Sequence, residues 1–192
     1  MKKLVLGLVF AVGLAGASVS AWEPNDFTKY PPVMEAGDWI FNLGVGFGFY
    51  DFDRFGSNYI FIPRFRGTFD LNTPIGESKL PFFAGLLLGY SGHGYKGDGP
   101  HWFYHNITVG GRFGYHFNWD VEKLDTYAVT TVGWVIYAGD VDRATKLSKI
   151  GDPIVGVNVG IRYFVTDWFG FWTEGGLNTS LHFFDVGFAF KF

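Results

Sequence analysis

Four charged side chains, Arg64, Arg112, Glu174 and Asp185, stand at comparable positions in a chain that is otherwise short of charge. Each lies on the small or polar face of an alternating run. Counted along its run, each falls about six or seven residues in, so a strand register would bring them to one height. The chemistry open to such a set is charge pairing. Glu174 and Asp185 lie on consecutive runs and would repel each other. A planar guanidinium can bind carboxylates bidentately, so Arg64 and Arg112 are expected to bridge them. Arg66, Asp70, Arg162 and Lys191 are further charges on the same faces.

Other constellations carry less. Ser91 with His93 is the closest approach to a nucleophile and its base, but no orienting acid stands beside them. His93, His101 and His105 fall near one loop. His101 and His105 are four residues apart in an extending strand, hence about 13 Å, too far to share an ion without a fold-back. The pairs Asp51 and Asp53, and Asp140 and Asp142, lack the full oxygen-ligand loop that calcium needs. Gly44, Gly46 and Gly48 are no dinucleotide fingerprint, because no helix follows them. No catalytic residue, metal site or cofactor is expected.

The elements that must position the charges are strands. The chain has 192 residues, 48% hydrophobic and 21% aromatic with only 17% charged, too few charges to coat an ordinary soluble domain. One domain is expected. Cysteine is absent, which removes disulfides and thiolate sites, and a net charge of −3 offers no basic excess for nucleic acid. Residues 1–21 read as a secretory signal: Lys2 and Lys3, an apolar stretch from Leu4 to Ala17, then Val19-Ser20-Ala21. Residues 22–37, with Pro31 and Pro32, could be an ordered plug or a loose tail, and the prolines and polar residues favour a tail.

From Asp38 the chain alternates in eight runs to residue 192. Trp39, Phe41, Leu43, Val45, Phe47 and Phe49 oppose Asn42, Gly44, Gly46 and Gly48 in the first. In the second, Phe61, Phe65, Phe69 and Leu71 oppose Arg64, Arg66, Thr68 and Asp70. The fifth, Thr126 to Ala138, is apolar on both faces, and its direction stays open. Several runs match the 9 to 11 residues that a tilted strand needs to cross a bilayer.

An eight-stranded barrel is only wide enough inside for side chains to fill it, so phenylalanines from most strands must face outward. That predicts an all-β, eight-stranded antiparallel up-and-down transmembrane β-barrel over residues 38–192, apolar side to the lipid. Trp39, Tyr59, Tyr90, Trp119 and Tyr163 would form its interfacial girdles. Short turns after even-numbered strands and longer loops after the third and fifth put both termini on the periplasmic side.

The chain thereby resembles the small outer-membrane β-barrels of diderm bacteria, the OmpA-like, OmpX-like and OmpW-like group. The sharpest element is the ending, where Phe188, Phe190 and Phe192 look like that group's carboxy-terminal sorting signal. The resemblance implies insertion in the outer membrane by a barrel assembly machinery, among membrane lipids and lipopolysaccharide. The expected role is structural or surface contact through a narrow charged lumen, without enzymatic activity. A transport channel for small solutes or apolar molecules is the alternative, motivated by Phe83 and Leu87 on the lumen side, and lipid A modification is a third. In the segment from Gly92 to Tyr104, Tyr95, Trp102 and Phe103 suit contact with an extracellular ligand. Aromatics settling among lipopolysaccharide head groups would explain them equally well.

Overall fold

The computed structural model of the chain describes residues 33–48, 58–74, 81–98, 101–140, 151–178 and 182–192. Residues 1–21, expected to be a secretory signal, most of the stretch 22–37, and Asp51, Asp53 and Asp142 lie outside the described residues. Eight strands follow in order: β1 (Trp39–Gly48), β2 (Tyr59–Pro74), β3 (Pro81–Tyr95), β4 (Trp102–Phe117), β5 (Leu124–Gly139), β6 (Asp152–Phe164), β7 (Phe169–Asn178) and β8 (His182–Lys191). Each is antiparallel to the next and β1 also pairs β8, so the sheet closes into a barrel. Closure removes both sheet edges and pairs the backbone within the wall, the condition for strands in hydrocarbon. At the seam, Trp39 N donates to Phe192 O at 3.0 Å and Phe192 N to Trp39 O at 2.8 Å.

The period-two pattern sets the faces. Leu86, Leu88 and Val159 point outward, each more than 60% exposed, whereas Asp70, Arg162 and Asp185 point inward with no exposure. A barrel that turns leucines out and buries arginines is inverted relative to a water-soluble one. It is a transmembrane β-barrel, its apolar wall suited to lipid. Of the residues expected in the girdles, Trp39, Trp119 and Tyr163 are exposed, at 41%, 45% and 49%.

Two strands differ from the plain alternation. β5, which could not be oriented from composition, turns Asp125, Tyr127, Val129, Thr131 and Val135 inward and Val132, Trp134 and Ile136 outward. In β2 the register against β3 slips by one residue between Ile62 and Phe65. Such a bulge moves everything beyond it to the opposite face. Tyr59 and Phe61 pair with Tyr95 and His93, which share the inward face of Ser91 and Leu87. The expectation that Phe61 faces lipid beside Phe65, and that Tyr59 belongs to a girdle, is therefore corrected by one extra residue near Pro63.

The two ends of the barrel are unlike. At the end where the chain enters β1 and leaves β8, called the near end here, residues 33–37 fold across the opening. Met34 is 5% exposed and packs in the core with Ile40, Phe83, Tyr127, Val129, Phe164, Trp172 and Ala189. Lys191 Nζ donates to Val33 O at 3.0 Å, and Gly37 N to Asn72 O at 2.9 Å. Gly37 adopts φ +96°, which a residue with a side chain resists, and this lets the segment turn into β1. The described part of the segment read as a tail is thus a plug. Val33 O, Glu35 O and Gly37 N are met by the barrel, while residues 35–37 stay exposed on its outer side. At the far end β2, β3, β4 and β5, of 15 or 16 residues, rise above the 10-residue strands β1, β7 and β8.

Candidate functional site

Inward charges from six strands form a continuous chain of alternating sign across the lumen. Asp185 on β8 pairs with Arg66 on β2, and Arg66 also meets Glu174 Oε1 at 2.5 Å. Glu174 and Asp185 are direct register partners on β7 and β8, so one guanidinium relieves the repulsion between both carboxylates. Glu174 Oε2 then accepts from Arg112 at 2.8 Å, and Arg112 Nε lies 2.9 Å from Asp70 Oδ1, close enough for ion pairing but off the hydrogen-bond line. Asp70 Oδ2 accepts from Arg162 at 2.7 Å, and Arg162 reaches on to Asp125 Oδ2 at 2.8 Å. Asp125 Oδ1 faces His116 Nδ1 at 2.6 Å. His116 Nε2 lies 3.0 Å from Asn72 Oδ1, and Asn72 Nδ2 donates to Glu35 O of the plug at 3.2 Å. The ion chain thus ends on the plug's backbone.

Neutral groups complete it. Glu174 also accepts from Tyr127 Oη at 2.8 Å and Asn158 Nδ2 at 2.9 Å, and Trp172 Nε1 donates to Tyr127 Oη at 2.6 Å. Arg162 Nε donates to Asn42 Oδ1 on β1 at 2.9 Å. The Arg162 guanidinium sits 4.2 Å from the Tyr127 ring centre, and Arg112 sits 5.7 Å from that of Phe83, where an aromatic face favours a cation. Room for these rings comes from glycine: a Cβ on Gly114 would strike the Phe83 ring, and one on Gly160 the Tyr127 ring. Buried ions cost several kcal/mol each to desolvate, and only partners on every side make such a set tolerable. Chemically, the arrangement can hold seven strands together and block passage. Among the described residues no group of three or more His, Asp or Glu side chains is placed to hold a metal ion.

Of the four residues expected at mid-height, Arg112, Glu174 and Asp185 come together in this chain, with Arg66 bridging the two carboxylates, and Arg64 pairs in register with Gly46, the residue that also faces Asp185. Arg64 stands beside the bulge, half-buried in the wall of a small cavity above the network. Asp70 and Arg162, placed beforehand only as further lumen charges, are central links, while Lys191 ties down the plug. Asp125, Tyr127, Trp172 and Asn42 were missed as members. Asp125 shares parity with Thr131 across the fifth run, the one sign that could have given that strand its direction.

Above the chain of ions the lumen changes character. A cavity of about 20 Å³ is lined by Arg64, Arg66, Leu87, Thr131, Ile154 and Asn158, and Thr131 Oγ1 and Asn158 Oδ1 have no protein hydrogen-bond partner there. Higher still, Tyr95 and Trp102 face inward, with ring centres 6.3 Å apart. Phe103 points the other way, its ring over Gly92 and Gly94 on the outer wall. Ser91 accepts from Asn106 Nδ2 at 3.2 Å, and His93 lies between the rings of Phe61 and Tyr104, at 5.6 and 5.5 Å. Phe188 and Phe192 are exposed on the outer wall, and Phe190 packs 6.3 Å from Phe41 across the β1–β8 seam.

No family model matches the chain, and no curated protein does. Among solved structures, one described as de novo design of transmembrane beta-barrels is similar, at 17% identity and a TM-score of 0.48, covering 83% of this chain and 98% of that one.

Proposed function

We propose that this protein is an integral outer-membrane β-barrel of the OmpA-, OmpX- and OmpW-like kind, with a sealed lumen and a structural or surface-contact role. The observation that carries the reading is the alternating ion chain from Asp185 to His116. It spans the lumen at mid-height and is backed at the near end by Met34. A barrel whose interior is spent on mutual pairing serves as a rigid wall that presents its far end. On this reading the near end is periplasmic and the far end extracellular. Lipids and lipopolysaccharide surround the apolar wall, and Phe188, Phe190 and Phe192 are read by an assembly machinery.

An enzymatic role draws no support from Ser91 and His93. Ser91 is engaged by Asn106, and His93 lies among aromatic rings. A transport role would need a path through the ion chain, and Phe83 and Leu87, its motive, are packed and buried. The test is expression in a diderm bacterium. The expected result is a heat-modifiable band in the outer-membrane fraction, its amount reduced on removing Phe192, with the lipid A mass profile unchanged. Recovery in the inner membrane, or altered lipid A, would contradict the reading.

A further inference from the structure

The rising wall of β2 to β4 carries an aromatic set on its inner face that the sealed lumen does not use. The rings of Tyr59, Tyr95, Trp102 and Tyr104 run side by side across it: Tyr59 to Tyr95 at 5.1 Å, Tyr95 to Trp102 at 6.3 Å and Trp102 to Tyr104 at 5.7 Å, the last two pairs within 22° of parallel. Their side of the wall excludes one ordinary explanation. Interfacial girdles face lipid, and these rings face the barrel axis, Tyr59 through the β2 bulge. Tyr104, 7% exposed, is packed behind the set, but the other three rings are not core: Tyr59 is 40% exposed and Tyr95 and Trp102 are half-buried.

Around the rings the chemistry is hydroxyl, amide and carboxylate. Tyr137 Oη donates to Asp152 Oδ2 at 2.8 Å, and the Tyr104 and Tyr137 ring centres are 6.3 Å apart. Asn106, whose Nδ2 binds Ser91, has an Oδ1 buried without a hydrogen-bond partner. Flat apolar faces bordered by neutral donors and acceptors suit a ligand that is itself apolar on its faces and rich in hydroxyls at its edge. The Asp152 and Asp140 carboxylates at this rim accept from hydroxyls and repel anions, so a phosphorylated or carboxylated ring fits less well.

We propose that this inward aromatic platform binds a neutral saccharide, stacking sugar rings on Tyr59, Tyr95 and Trp102 at the mouth of the barrel. The proposal deepens the surface-contact reading and rests on it. The sugar has two sources, the core of a glycolipid in the same membrane or a free glycan outside, and both present the same chemistry.

The test is titration of the refolded full barrel in detergent with maltotriose, cellotriose and chitotriose, and separately with lipooligosaccharide and with lipid A alone, read by tryptophan emission and calorimetry. At least one saccharide ligand should bind saturably in the millimolar range or tighter. Binding should weaken about tenfold in Tyr59→Ala and in Trp102→Ala, as expected for loss of one stacked ring. It should be unchanged in Trp134→Phe, on the outer wall. Heat-modifiable migration checks that each variant is folded, and Tyr59→Ala keeps the test alive if Trp102→Ala does not fold.

Binding of a trisaccharide assigns a free glycan, and binding of lipooligosaccharide but not lipid A assigns the glycolipid core. No saturable binding of any saccharide, equal binding of lipid A and lipooligosaccharide, or Tyr59→Ala binding like wild type overturns the proposal. Such a failure leaves the sealed lumen standing, because conductance reads that independently.

Discussion

The two halves of the lumen solve the problem of a barrel interior in opposite ways. The near half is filled: Met34, Phe83, Phe164 and Trp172 pack beneath a chain of paired ions, and Asp70, Arg162 and Asp185 have no exposure at all. The far half keeps a cavity of about 20 Å³, polar atoms without protein partners, and half-exposed rings. Both halves use arginine and aromatic side chains, so composition does not separate them. What separates them is charge matching: the arginines and carboxylates of the near half each lie within ion-pair distance of an opposite charge, whereas the far half turns polar atoms and ring faces toward a cavity. That decides whether a side chain holds the barrel together or faces a space that something else can enter.

The largest effect should come from the node with most partners. Replacing Glu174 with Ala strands Arg66 and Arg112 and should cost roughly 3 to 5 kcal/mol, the range for breaking a buried ion pair. Urea unfolding of the refolded barrel measures this, and a loss below about 1 kcal/mol would place water inside the near half. The adjacent arginines sharpen the contrast. Arg66→Ala should cost nearly as much as Glu174→Ala, while Arg64→Ala, at a half-buried side chain in the cavity wall, should cost about 1 kcal/mol or less. Equal costs would erase the boundary between the halves.

Next comes the plug. Met34→Ala removes a buried side chain from the core cluster and should cost about 2 kcal/mol, at the low end for core truncations because the segment can settle. An unchanged unfolding midpoint would return residues 33–37 to a loose tail. The smallest effect is expected at the far rim. Tyr95→Ala should change stability by about 0.5 kcal/mol or less, a surface-like value. A loss comparable to that of Met34→Ala would make the aromatic set part of the core.

How much of this was legible follows from the same contrast. Strand number, the lipid-facing side and the pairing of Glu174 and Asp185 through arginine all follow from period-two alternation, which is local and survives in a single sequence. The bulge at Pro63 was not legible, because one extra residue leaves the composition of β2 unchanged while exchanging the faces of Tyr59 and Phe61. The proline itself was the available sign, since it cannot donate to a ladder and favours bulges. Asp125 escaped because the fifth run was read from Thr126, one residue past it, and the rest of β5 is apolar on both faces; in the barrel Asp125 starts the inward face and pairs with Arg162 on β6. The plug escaped for a different reason. Met34 is held by the near-end core, and its neighbours Val33 and Glu35 by Lys191 and Asn72, contacts distant in sequence that no local pattern encodes.

The central claim, that the near half is sealed by paired charge and plug, is tested most directly by planar-bilayer conductance of the detergent-refolded mature barrel beside its Glu174→Ala and Met34→Ala double variant. The account predicts a silent wild type and discrete openings in the variant. Discrete openings in the wild type would contradict it and make the ion chain the lining of a channel.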